Sequence, residues 1–255
     1  MEEKILRALQ QIEKTYHVKI LYACEAGSRS IGLESAESDY DIRFIYAEHI
    51  NRYVSIDPIR KDVMELVEHK LDMSGWEITK ALRLFRKSNP ALLEWLHTKV
   101  VYVDPHQLKK LLLALQQKLF SKKACIYHYL NIVYKNKKEA DTNKPIPVKQ
   151  AIRIIHPLLM ALHIKKFHVF PSGDFFDLIK YTANKQIAKE INALASKKRN
   201  NNGKKWIKLS QDLMDWIEFE VQALEHDVKE LNEEKEDGTK ELNQIFRDML
   251  YKAWK

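Results

Sequence analysis

Residues 22–47, YACEAGSRSIGLESAESDYDIRFIYA, decide the reading of this chain. The stretch begins apolar, passes through Gly27-Ser28, and returns to an apolar run headed by Asp39 and Asp41. YDIRFIYA reads as a strand, where residues two apart leave the same face with α-carbons about 7 Å apart. Two carboxylates held that close repel each other unless a cation lies between them. A hard divalent ion meets this need, and Mg²⁺ prefers a few carboxylates plus substrate phosphates to an all-protein cage. Arg43 continues the face, placed to neutralise the pair or to touch a phosphate. Upstream, Gly27 removes the side chain that would hold a phosphate away. Ser28 offers a hydroxyl and an amide at the start of a short helix, a natural anion site. Arg29 is a further candidate ligand beside them.

Outward from this stretch, the pattern before residue 106 is mixed α/β. Ile5, Leu9, Ile12 and Tyr16 share one helical face, predicting a first helix that ends near His17. KILYAC predicts the first strand and YDIRFIYA the second. VMELVEHKLDM, 63–73, predicts a third, with Glu68, Lys70 and Asp72 on one side. Ser74 is the expected cap of the next helix, with Glu77 as its capping-box partner, and that helix stops at Asn89-Pro90. PALLEWLHT is helical, KVVYV a short strand, and Pro105 the start of another helix. Beyond it strand signals nearly vanish, and helices are expected over 106–137, 148–168, 174–195, 206–235 and 239–254. The expectation is an α+β domain at 1–105 followed by a helical domain at 106–255. NKKEADTNKPIPV reads as a loop inside the second domain.

Composition narrows the function. The chain has 255 residues, 45% of them hydrophobic, enough for a substantial core. Lys and Arg (43) exceed Asp and Glu (35), and the net charge of +8 suits an anionic partner such as a nucleotide or nucleic acid. The N-terminal MEEKILRALQQIEKTYH lacks a secretory signal's apolar core, and no stretch approaches the roughly 18 apolar residues of a membrane span. A cytosolic location is expected. Cys24 and Cys125 are far apart in apolar settings, so they read as buried, reduced thiols.

The spacing G-S-x9-S-D-x-D in GSRSIGLESAESDYDIR resembles the signature of the DNA polymerase β-like nucleotidyltransferase superfamily, without a gap. SDYDIR and LDMSGWEITKALRLFRKSNPALLEWL are more narrowly similar to a subgroup of nucleotidyltransferases linked to RNA repair. The resemblance covers about the first hundred residues and thins thereafter. It implies transfer of a nucleoside monophosphate from a nucleoside triphosphate to an acceptor hydroxyl with two Mg²⁺ ions, or Mn²⁺. Asp39 and Asp41 would hold both ions, with Asp72 as the third carboxylate and Glu68 as its rival. In the second half, CIYHYLNIVYKNKK and VKQAIRIIHPLLMAL are similar to the family's helical segments. Lys149 and Arg153, one turn apart, are then candidates for the β- and γ-phosphates. The family pattern puts an arginine before the proline, where this chain has His156.

RNA is the expected acceptor; a protein or small-molecule acceptor, and a non-catalytic nucleotide- or nucleic-acid-binding module, are the alternatives. The basic stretch KKRNNNGKKW, 197–206, reads first as a solvated loop and second as a grip on a nucleic-acid backbone. Trp76, Trp95, Trp206 and Trp216 read as core, and His128, His156, His163 and His168 as structural. The acidic run EHDVKELNEEKEDGTKE reads as a solvated helix face ending at Gly238.

Overall fold

A computed structural model describes residues 1–56, 64–68, 70–140, 144–182, 184–233 and 236–255. In chain order its first half runs α1 (Glu2–Tyr16), β1 (Lys19–Glu25), α2 (Gly27–Ser30), β2 (Tyr40–Ala47), α3 (Ile50–Tyr53), β3 (Met64–Glu68), β4 (Leu71–Glu77), α4 (Ile78–Arg86), α5 (Pro90–His97) and β5 (Val101–Val103). Then follow α6 (Leu108–Leu119), α7 (Lys122–Glu139), β6 (Ile146–Pro147), α8 (Val148–Phe167), α9 (Phe175–Ile179), α10 (Lys185–Lys197), a π-helical turn at Lys198–Asn202, β7 (Trp206–Ile207), α11 (Gln211–Glu230) and α12 (Thr239–Ala253). The chain divides into two compact units. One comprises Met1–Gly27, Asp39–Phe120 and Lys235–Lys255, and the other Ser28–Ser38 and Ser121–Glu234. The sequence places the boundary after 105; here α6 and α12 group with the sheet. The expected α+β class holds.

The first unit is built on a mixed five-stranded sheet in the order β3-β4-β2-β1-β5. Only β2 and β4 run parallel; the other neighbours are antiparallel. β1 is buried from Ile20 to Glu25, as a central strand covered on both faces must be. α1 lays Ile5, Leu9 and Ile12 onto a core with Ile42, Phe44, Leu71 and Met73. It stops at His17, whose left-handed φ of 53° ends the helix while its N–H bonds the Glu13 carbonyl. Tyr16, expected on the buried face, is instead 52% exposed, at the last residue of α1.

The third predicted strand is in fact a hairpin. β3 and β4 pair antiparallel around Lys70, which turns the chain with φ 59°, so Glu68 and Asp72 lie on different strands. The side chain of Glu68 lies outside the described residues. The strand also runs further than its pattern suggested, through Ser74 and Gly75 to Glu77. Glu77, not Ser74, caps α4: its carboxylate accepts from the N–H groups of Thr79 and Lys80. Gly75 is needed in the strand because a Cβ there would meet the Phe44 ring at 2.2 Å.

Helix boundaries in the second half shift for identifiable reasons. Ser121 caps a new helix and splits the predicted 106–137 segment into α6 and α7. α6 begins at Leu108, whose N–H bonds Asp104 Oδ1, and not at Pro105. Asn184 caps α10 and divides it from α9. Trp206, expected in a helix core, pairs with Pro147 in a two-stranded ribbon and is 66% exposed. The acidic helix α11 ends at Glu230, and Gly238, at φ 59°, precedes α12. α8 and α12 match their predicted spans closely. Cys24 and Cys125 are both buried thiols, as expected. Among the described residues no helix is long and apolar enough to cross a membrane.

Candidate functional site

The parallel register of β2 and β4 sets Asp41 beside Asp72 and Arg43 beside Ser74. Along β4 burial alternates strictly, so Asp72, Ser74 and Trp76 are the half-exposed set while Leu71 and Met73 enter the core. On β2 the same alternation turns Asp41 and Arg43 away from buried Ile42 and Phe44. Neighbouring strands lie about 4.8 Å apart, so the two carboxylates share one small region of the sheet face. Asp39 precedes β2 and is exposed.

Arg43 provides the cation this pair needs. One guanidinium nitrogen lies 3.1 Å from Asp72 Oδ2 and 3.5 Å from Asp41 Oδ1. The other donates to the Ile42 carbonyl at 3.1 Å and the Asp72 carbonyl at 3.2 Å. Even so, the Asp41 carboxyl is held above the ordinary aspartate range: burial raises it most, Arg43 opposes, and Asp72 and Asp39 add to the rise. Burial and the neighbouring acids both disfavour the charged carboxylate, so a further cation at this face would favour it.

Three neighbours hold Asp41 in place. Gly27, at φ 60°, packs so tightly on it that a Cβ there would lie 1.9 Å from Asp41 Oδ2. The Ala26 N–H donates to the Asp41 carbonyl at 2.7 Å. From β1, Glu25 is 2% exposed, its Oε1 accepting the Asp41 N–H at 3.0 Å and its Oε2 the Tyr102 hydroxyl at 2.5 Å. Sequence reasoning passed over Glu25. Its available signal was a carboxylate ending a run of apolar strand residues.

The donors here are hard carboxylate oxygens, the chemistry that Mg²⁺ or Mn²⁺ takes, and Mg²⁺ needs only one or two of them when phosphate oxygens and waters complete its shell. Asp41 and Asp72 therefore fit a divalent ion. Among the described residues no three His, Cys, Asp or Glu side chains converge on one metal position.

The second unit holds the other expected ligands. Ser28 and Arg29 begin the segment Ser28–Ser38, which closes on itself: the Ser28 carbonyl accepts from Leu33 N–H at 2.8 Å, and Arg29 donates to the Ser38 carbonyl at 3.0 Å. Lys149 and Arg153 are both exposed, one turn apart on α8. Lys198, which the sequence reading did not single out, has its ammonium pushed down by burial and by Lys149, with Glu34 opposing. His156 lies against the Gly173 carbonyl at 3.2 Å and stacks on Phe175, and burial lowers its imidazole to about 4. The position where the family pattern has a cation is thus neutral at pH 7. In all, Gly27, Asp41, Arg43 and Asp72 come together in the first unit, while Ser28, Arg29, Lys149 and Arg153 belong to the second.

A family model described as "RNA repair pathway DNA polymerase beta family" matches residues 1–248. The uncharacterized protein YcgL of Bacillus subtilis (strain 168) is 36% identical over 256 residues, spanning 100% of this chain and 98% of that protein. A nucleotidyltransferase-like protein from Exiguobacterium sibiricum 255-15 is a more distant likeness, 9% identical, with a TM-score of 0.32 over 98% of this chain and 80% of its own. With the family model matched along nearly its whole length, this chain belongs to the RNA repair pathway DNA polymerase β family, and it is a nucleotidyltransferase.

Proposed function

We propose that the protein transfers a nucleoside monophosphate from a nucleoside triphosphate to an acceptor hydroxyl on RNA, with Mg²⁺ or Mn²⁺ as cofactor. The observation that carries this reading is Asp41 facing Asp72 across parallel strands, with Arg43 between them and side-chain-free Gly27 packed against Asp41. When bound, two divalent ions supply charge stabilisation at the α-phosphorus and lower the pKa of the attacking hydroxyl. Asp41 and Asp72 would hold them, with Asp39 as the further carboxylate.

The chain's own part is positioning. Glu25 fixes the Asp41 backbone, so the carboxylate is held in place before substrate arrives. Arg43 balances the charge of the two acids until other cations do so. Gly27 and Ser28 hold the triphosphate through backbone N–H groups and the Ser28 hydroxyl, assisted by Arg29. On the second unit, with His156 neutral, Lys149 and Arg153 are the cations offered to phosphate. RNA is the acceptor this reading favours because the chain carries a net charge of +8 and a basic stretch at 197–206.

The test is incubation with each α-³²P-labelled ribonucleoside triphosphate, Mg²⁺ and a total RNA extract, beside the Asp41→Ala protein. Label on RNA that depends on Asp41 is the expected result. Label on protein bands would move the acceptor to polypeptide. Absence of transfer, together with absence of Mg²⁺-dependent nucleotide binding, would overturn the proposal.

A further inference from the structure

The second unit joins two segments that are distant in the chain and carry charge of one sign. Residues 144–153 and 197–208 together contain nine Lys and Arg and no Asp or Glu. The β6–β7 ribbon pairs them, Ile146 with Ile207 and Pro147 with Trp206. Two bonds extend the join: the Val148 N–H donates to the Lys205 carbonyl at 3.0 Å and the Lys149 N–H to the Gly203 carbonyl at 2.9 Å. Buried Ile146, Val148 and Leu209 root the ribbon in the core, so what it shows to solvent is held in place.

Lys204, Lys205 and Lys208 are exposed there, and Trp206 among them is 66% exposed. The adjoining π-helical turn adds exposed Arg199, its guanidinium carbon 5.7 Å from the Phe176 ring centroid. Lys198 is half-buried, and its ammonium is pushed down by burial and then by Lys149, with Glu34 opposing. Glu190, which also adjoins this region, accepts the Ser210 hydroxyl at 2.6 Å. Like charges gathered with so little acid among them repel, and a polyanion relieves that repulsion. Lysines set around an exposed indole match a phosphate chain whose bases are free to stack. An indole receives a base face only when that base is unpaired, which favours a single strand over a duplex. A membrane surface calls for an apolar face, whereas Pro145 and Trp206 are the exposed apolar residues among the described residues of the two segments.

We infer that this surface docks single-stranded RNA, one base stacked on the Trp206 indole and the flanking phosphates met by Lys204, Lys205 and Lys208. The inference rests on RNA being the acceptor, as proposed above, and assigns the residues that grip the strand. Stacking on an exposed ring tolerates any base, so the surface holds RNA without choosing its sequence.

The experiment is fluorescence anisotropy of an end-labelled uridylate dodecamer titrated with the full-length protein, in EDTA and without nucleoside triphosphate, so that docking is read apart from transfer. Trp206→Leu should weaken binding about tenfold and Trp206→Phe should restore most of it, with Tm unchanged because the side chain is exposed. The triple variant Lys204→Ala, Lys205→Ala and Lys208→Ala should flatten the slope of log Kd against log salt by about 2, at about 0.7 per phosphate contact. Affinity and slope unchanged in both Trp206→Leu and the triple variant would overturn the inference. Binding to phosphatidylserine vesicles that Trp206→Leu abolishes, without binding to RNA, would overturn it in favour of a membrane. A wild type that binds the dodecamer through these residues yet transfers no label to RNA refutes RNA as acceptor and leaves the docking surface standing. Label transfer to RNA with both variants' affinities unchanged does the reverse.

Discussion

Replacing Gly27 with alanine isolates the contact that positions Asp41. The substitution forces a Cβ into a left-handed backbone with φ 60°, at about 1–2 kcal/mol. It also puts that Cβ 1.9 Å from Asp41 Oδ2 and 2.6 Å from its Cγ, so the carboxylate must move by more than 1 Å to reach ordinary contact. Gly173 is the matched control: its φ is 79°, yet a Cβ there meets nothing within 4 Å. Both variants should lose a few degrees of Tm, since 1 kcal/mol corresponds to about 2–4 °C in a chain of this size. Only Gly27→Ala should also lose about 100-fold in nucleotidyl transfer, the effect of displacing a reacting group by about 1 Å. The assay is labelled-nucleotide transfer to RNA together with thermal unfolding of both proteins. Equal transfer by Gly27→Ala and Gly173→Ala would refute the argument that this glycine exists to seat Asp41.

Glu25→Ala should destabilise by about 3 kcal/mol, because it removes the acceptor of both the Asp41 N–H and the Tyr102 hydroxyl, whereas Tyr102→Phe should cost about 1 kcal/mol. Urea denaturation measures both, and equal effects would count against Glu25 as the clamp. In chelator, Arg43→Ala should lower stability by about 1 kcal/mol, modest because the acids are partly exposed. Added Mg²⁺ should then raise its Tm more than that of the wild type, and equal shifts would contradict the charge-balancing role. His156 is held neutral, so its contribution is complete above its unfolded value near 6.5 and is lost as pH falls toward about 4. That loss is of the order of 3 kcal/mol and is absent in His156→Gln. A wild-type-minus-variant difference that does not change between pH 7 and pH 4 would dispose of it.

Much of this was legible in the residues. Gly27-Ser28 and Asp39-x-Asp41 are local features, and strand alternation alone places Asp41 and Arg43 on one face. α8 and α12 were readable because long amphipathic periods and local caps belong to single helices. The β3–β4 hairpin was missed because a turn through left-handed Lys70, a non-glycine residue, carries no composition signal. Ser74 resembled a cap because strand and helix-start signals overlap over those residues, and only pairing with β2 draws Ser74 and Gly75 into the sheet.

Which residues can bear the chemistry follows from residue type and short-range period, both properties of the unfolded chain. Their pairing arises only on folding. The β2–β4 register brings Asp72 from 31 positions away to stand beside Asp41. Strand order sets Glu25 beneath the Asp41 backbone. Burial converts His156 from a possible cation into a neutral ring. Register, strand order and desolvation are each properties of segments meeting in space, and no local pattern encodes where the partner segment will be.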